Sequence, residues 1–161
     1  MKKVGSLLLA LALCVLIAPQ LAAEGEQPWF DIHHCSICKN FTKEKGLLQH
    51  VKWETHVIAE GMLTVATVPA EYEEAFQRAH DGIGQTLQRL QNGEPGKLCG
   101  FCMSYGKLAM SGARMEEIQT SAGHIGLVTS EDPAIVAMIH EHAKRTIAES
   151  ANWEAQVKDG A

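Results

Sequence analysis

Two hydrophobic rhythms alternate along this chain, and each occurs twice. Val51 to Ala59 and Met62 to Val68 are rich in Val, Ile, Thr and Trp, with Glu60-Gly61 between them. Branched and aromatic residues favour strands and glycine permits a tight turn, so these runs predict a β-hairpin. Pro69 then stands where a first helical residue would. Tyr72, Ala75, Phe76, Ala79, Ile83, Leu87 and Leu90 follow at a spacing that places them on one helical face. Gly82 and Gly84 fall inside that helix, where each costs roughly 1 kcal/mol, and so mark a bend or a close contact. Farther on, Met115 to Thr120 and His124 to Thr129 flank Ala122-Gly123 and predict a second hairpin. Asp132-Pro133 next supplies a cap and a first-turn proline for a helix with Ile135, Val136, Ile139, Ala143 and Ile147 on its inner face.

A helix is predicted before each hairpin too, and both open on a CxxC. Cys35-Ser36-Ile37-Cys38 begins one that runs to about Gln49, and Cys99-Gly100-Phe101-Cys102 begins one that runs to Ser111. The motifs lie 64 residues apart, and at that offset Phe41 falls on Tyr105 and Lys43 on Lys107. A two-residue shortening then aligns Gly61 with Gly123, Thr67 with Thr129, Ala75 with Ala137 and His80 with His142. Few positions are identical, but the order of elements repeats as well, which favours internal duplication. The expected fold is α+β: duplicated helix-hairpin-helix halves, 35–90 and 99–150, whose hairpins form a pseudo-two-fold, four-stranded antiparallel sheet covered by helices. Residues 91–98, with Gly93, Pro95 and Gly96, read as the linker, and 24–34 as a short polar lead into a single domain, 35–161.

The N-terminus changes the chemical setting. Lys2 and Lys3 precede an apolar run from Val4 to Ala18; Pro19 ends it, and Leu21-Ala22-Ala23 offers small residues for cleavage before Glu24. That order of parts predicts a signal peptide over 1–23 and a periplasmic or secreted product, with an uncleaved anchor as the alternative. A lipoprotein attached through Cys14 fits poorly, because that cysteine lies inside the apolar run. Cleavage takes the net charge from −5 to −7, with 12 basic against 19 acidic side chains. So acidic a chain, without basic clusters, argues against nucleic acid and anionic membrane surfaces as partners. About 138 residues then remain, enough for one ordinary core, and no membrane span is expected after cleavage.

Four cysteines stay in the mature chain. A CxxC at a helix start turns both sulfurs to the same side of the first turn, where the helix N-terminus favours thiolate. Two such motifs in equivalent positions can meet, and Cys35, Cys38, Cys99 and Cys102 together have the ligand count of a closed tetrahedral site. Zn²⁺ is the expected ion, held structurally. Cu⁺ is the alternative, for a carrier or sensor, since Met103, Met110 and Met115 lie nearby in sequence and soft ligands suit it. His34 is a candidate further ligand and His33 its neighbour, against the simpler reading of a solvated pair. His142 aligns with His80, so one from each half could sit near a shared site.

Two other readings stay open: structural disulfides stapling a binding module, and a thiol-disulfide oxidoreductase. The oxidoreductase reading lacks the strand that precedes CxxC in thioredoxin-like folds. Haem attachment lacks the histidine after CxxC, where Lys39 and Met103 stand. No G-x-S-x-G, H-E-x-x-H, P-loop or dinucleotide fingerprint is present, so no catalytic residue is singled out and an enzyme is not the leading expectation. The partner expected is the metal ion, with a protein partner on a surface the sequence does not locate.

Overall fold

The computed structural model describes residues 27–159; the expected signal peptide lies outside them. Among the described residues are four strands and six α-helices, α1 (Lys39–Thr42), α2 (Leu47–His50), β1 (Lys52–Ile58), β2 (Gly61–Thr67), α3 (Glu73–Gln91), α4 (Gly100–Met110), β3 (Arg114–Thr120), β4 (Gly123–Thr129), α5 (Pro133–Ala148) and α6 (Ser150–Asp159), with a 3₁₀ turn, Ala70–Tyr72, leading into α3. The fold is α+β, built on one antiparallel sheet of order β1-β2-β4-β3.

Both hairpins form where the strand-favouring runs stand, and β2 and β4 join them edge to edge. Thr64 faces Gly126 at the middle of that seam, 62 residues away, and its hydroxyl donates to the Gly126 carbonyl at 3.3 Å. The strands of one hairpin begin and end 62 residues from those of the other. Glycines close the seam at both ends. A Cβ on Gly61 would lie 2.0 Å from the Val128 carbonyl oxygen, and one on Gly123 would lie 1.9 Å from that of Ala66.

Alternation along the strands turns Trp53, Met62, Ala66, His124, Val128 and Met115 to one side. The helices cover that side, and the core forms in pieces. Leu47, Val51, Ala66, Val68, Phe76 and Ala79 pack together in one, and Met62, Leu108, Val128, Ile139 and Ala143 in another. The opposite face carries Leu63, Val65, Ile125 and Leu127, all half-buried.

The helices follow the sequence pattern less closely than the strands. The expected helix from Cys35 to Gln49 is two short ones, because Gly46 takes a left-handed conformation (φ 79°) and restarts the chain as α2. That break sinks Leu47 and Leu48 into the core. Its counterpart α4 is continuous. Pro69 does not open a helix either: it is extended (φ −62°, ψ 144°) and caps the 3₁₀ turn. Asp132 does cap α5, accepting from the Ala134 amide at 2.8 Å with Pro133 in the first turn. A further helix, α6, follows α5 and has no counterpart after α3.

The lead differs most from expectation. Phe30, Asp31 and Ile32 are buried, Ile32 completely. The Gln156 side chain of α6 holds this segment, accepting from the Ile32 amide at 3.1 Å and donating to the Phe30 carbonyl at 2.9 Å. The sequence contains the signal, since Trp29, Phe30 and Ile32 are large apolar residues within an otherwise polar stretch.

Candidate metal centre

Cys38 and Cys99 are the cap residues of α1 and α4; Cys35 lies three residues before the first cap, ahead of the helix expected to open there, and Cys102 three residues after the second, inside α4. Each motif thus presents two sulfurs at a helix start, and the fold sets the two starts against each other. The main chain fixes their approach: the Ser36 amide donates to the Lys97 carbonyl at 2.8 Å, and the Cys35 amide to the Asp31 carbonyl at 3.0 Å. The lead secures α4, whose Gly100 and Phe101 amides donate to the Pro28 and Trp29 carbonyls at 3.1 and 2.9 Å.

The four sulfurs all lie within 4.8 Å of one another. Cys35 is 3.6 Å from Cys102, Cys38 is 3.7 Å from Cys99, and Cys38 is 3.4 Å from Cys102. Every one of these short contacts joins one motif to the other. Four sulfurs placed about 2.3 Å from a tetrahedral ion are separated by about 3.8 Å, whereas a disulfide needs about 2.05 Å. The spacing therefore matches a thiolate cage and no disulfide, and all four cysteines are free.

All four are buried, among Ile32 and Leu48 and beside Ile37, Leu98, Phe101, Trp153 and Val157. Their protonation is divided accordingly. Hydrogen bonding with the Cys102 sulfur first of all lowers both Cys35 and Cys99, Cys99 to about 7. The Cys38 backbone amide adds a hydrogen bond to the Cys35 sulfur, and the Cys102 amide adds one to the Cys99 sulfur. Cys38 is pushed up chiefly by its hydrogen bond with Cys102, then by Cys35, Cys99 and burial; Cys102 is pushed up chiefly by Cys35, against an opposing bond with Cys38, and then by Cys99 and burial. Four buried sulfurs this close can hold a metal ion, whose charge offsets the repulsion among thiolates.

Asp31 and Lys97 form an outer clasp that the sequence reading missed. The ammonium lies 2.9 Å from the carboxylate across the two motifs, and the other carboxylate oxygen is 2.9 Å from His34 Nδ1. Burial pushes the Asp31 carboxyl up, but the bonds from Lys97 and His34 outweigh it and hold the group below its ordinary range. No local motif announces this pair, which are 66 residues apart.

The remaining candidates are placed plainly. His34 is three-quarters exposed and turned to Asp31, outside the sulfur cluster, and His33 is exposed. Met103 and Met110 are exposed, and Met115 packs on the Leu108–Val128 core. His80 and His142 do approach a shared space, a cavity beside the cluster, but neither belongs to the four-ligand group. His124, to which the sequence assigns no role, is held by Glu73 at 2.8 Å and Glu117 at 3.1 Å.

Among the described residues no helix is long and apolar enough to cross a membrane. No protein-family model, curated protein or solved structure matches this chain.

Proposed function

We propose that this is an exported metal-binding protein in which Cys35, Cys38, Cys99 and Cys102 hold one Zn²⁺ as a closed structural centre. The observation that carries the reading is the set of sulfur distances, 3.4 to 3.7 Å between motifs, which suits four ligands on one ion. With four protein thiolates bound, no coordination position is left for a substrate, so the ion serves to join the two motifs and the function is binding rather than catalysis. Duplication of an ancestral half accounts for the constant offset of the strands and for two equivalent ligand pairs. Export rests on the composition of residues 1–23.

Burial argues against a redox role and a carrier role. An oxidoreductase needs one cysteine within reach of a substrate disulfide, and Cys35 and Cys99, the leading cysteines of the motifs, are 0% and 1% exposed. A copper carrier must hand its ion on, which is slow from beneath Ile32, Leu48 and Trp153. Disulfide staples would require the sulfurs to approach by well over 1 Å.

Native mass spectrometry of the protein, purified from its export compartment without chelator or reductant, tests all of this. The expected mass begins at Glu24 and includes one zinc, with no loss of the about 2 Da that accompanies each disulfide. A metal-free chain about 4 Da light, carrying two disulfides, would overturn the metal reading. Retention of residues 1–23 would overturn export by cleavage.

A further inference from the structure

A cavity of about 600 Å³ lies between the helices and the sheet, beside the sulfur cluster. Six aromatic side chains line it: Phe30, Phe41, Trp53, Phe101, Tyr105 and Trp153. They come from the lead, α1, α4, β1 and α6, so five segments of the chain contribute rings to one space. The rings brace one another, Trp53 against Trp153 at 5.3 Å and Phe30 against Phe101 at 5.4 Å. The space opens to solvent, with exposed Glu54, His56, Ile147 and Glu154 at its edge. Cavities of this volume with apolar walls and few polar groups are the usual form of small-molecule sites.

The polar groups define what would fit. No lysine or arginine lines the cavity, while Glu54 and Glu154 do, so a carboxylate, phosphate or sulfonate would meet repulsion and no counter-charge. His142 stands on the wall, 2% exposed. Its Nδ1 is 2.9 Å from the Ser104 hydroxyl, and its Nε2 is buried with no hydrogen-bond partner. The Trp29 indole Nε1 is likewise buried without a partner, and its ring lies 5.2 Å from that of His142. Burial also keeps this imidazole neutral at physiological pH.

We propose that the cavity binds one small, uncharged, ring-bearing apolar molecule, held by contacts with its aromatic walls. The site stands independently of whether the sulfurs hold an ion, so a failure of either reading leaves the other to be judged on its own test.

The probe is N-phenyl-1-naphthylamine, which is uncharged and carries one N–H. Its sulfonated relative, 1-anilinonaphthalene-8-sulfonate, keeps the rings and adds a negative charge. Titrated into the protein as purified, the neutral probe is expected to saturate at one per chain with enhanced fluorescence, and the sulfonate to bind at least about tenfold more weakly. Thr64→Phe fills the cavity from the sheet and Thr146→Phe fills it from α5. Each is expected to weaken the neutral probe by at least about tenfold, and because the two walls are separate, either variant that melts like the parent decides the matter. The proposal is overturned by an absence of saturable binding, by equal affinity for the two probes, or by unchanged affinity in the folded threonine variants.

Discussion

The Cys102 sulfur lies 3.4 Å from that of Cys38 and 3.6 Å from that of Cys35. Replacing Cys102 by serine removes one ligand of four and leaves three thiols in a pocket shaped for an ion. The expected result is loss of stoichiometric zinc and a fall in unfolding free energy of several kcal/mol, since ligand binding in such sites is folding energy. A Cys102→Ser protein that kept one zinc and the parent's melting temperature would remove the four-sulfur site from consideration. His142 makes a different prediction. Burial lowers its imidazole to about 4, against about 6.5 in an unfolded chain. Between those values the unfolded chain binds the proton and the folded protein does not. Stability is therefore expected to fall as the pH drops from about 6.5 to about 4, by roughly 3 kcal/mol across the whole window, and to be indifferent to this group above it. Acid also displaces metal from thiolates, so the comparison that isolates His142 is the pH profile of melting in His142→Phe against the parent. Parallel profiles would show that its burial does not set the slope.

At the scale of elements, two glycines of α3 that look alike in sequence are separated by their surroundings. A Cβ on Gly84 meets nothing within 4 Å, whereas one on Gly82 would lie 2.8 Å from Asn40 Oδ1. Asn40 is buried and joins α1 to α3, donating to the Ile37 carbonyl at 2.9 Å and to the Thr86 hydroxyl at 3.2 Å. Gly84→Ala is expected to raise stability by about 0.5–1 kcal/mol through helix propensity, and Gly82→Ala to lower it by about 1 kcal/mol or more as Asn40 is displaced. Chemical denaturation measures both, and a stabilising Gly82→Ala would mean that Asn40 yields without loss. The same contrast explains what could be read from sequence. The hairpins were legible because residue choice and the turn glycines are local signals, and the cysteines because CxxC carries its chemistry within four residues. The broken first helix depended on whether Leu47 and Leu48 had a core to enter. The burial of Phe30 and Ile32 depended on Gln156, more than a hundred residues away in sequence. The Asp31–Lys97 clasp likewise had no local mark, since an exposed lysine in a linker and an acid in a lead are each unremarkable alone. The cavity was the least legible feature, because Trp53 and Trp153, scattered along the chain, come together only through α6.

For the whole molecule, the sulfur contacts and the hydrogen bonds of Gln156 describe one arrangement at two places. The motifs meet at the centre, and the lead meets the last helix beside them. Residues 91–95, between the two motifs, are exposed, and the chain rejoins this junction at Lys97. The order in which the chain visits its two halves is therefore of little consequence to the final geometry. A circular permutant, with residue 159 joined to residue 27 by a short flexible segment and new ends opened between Gly93 and Glu94, is expected to fold and to bind zinc with the parent's stoichiometry, although its CxxC motifs now occur in reverse order. Circular dichroism and metal analysis would check this, and a permutant that stayed unfolded with zinc present would show that the linker directs assembly. Covalent connection and spatial connection are separable here, and it is the spatial one that makes the two halves a single object.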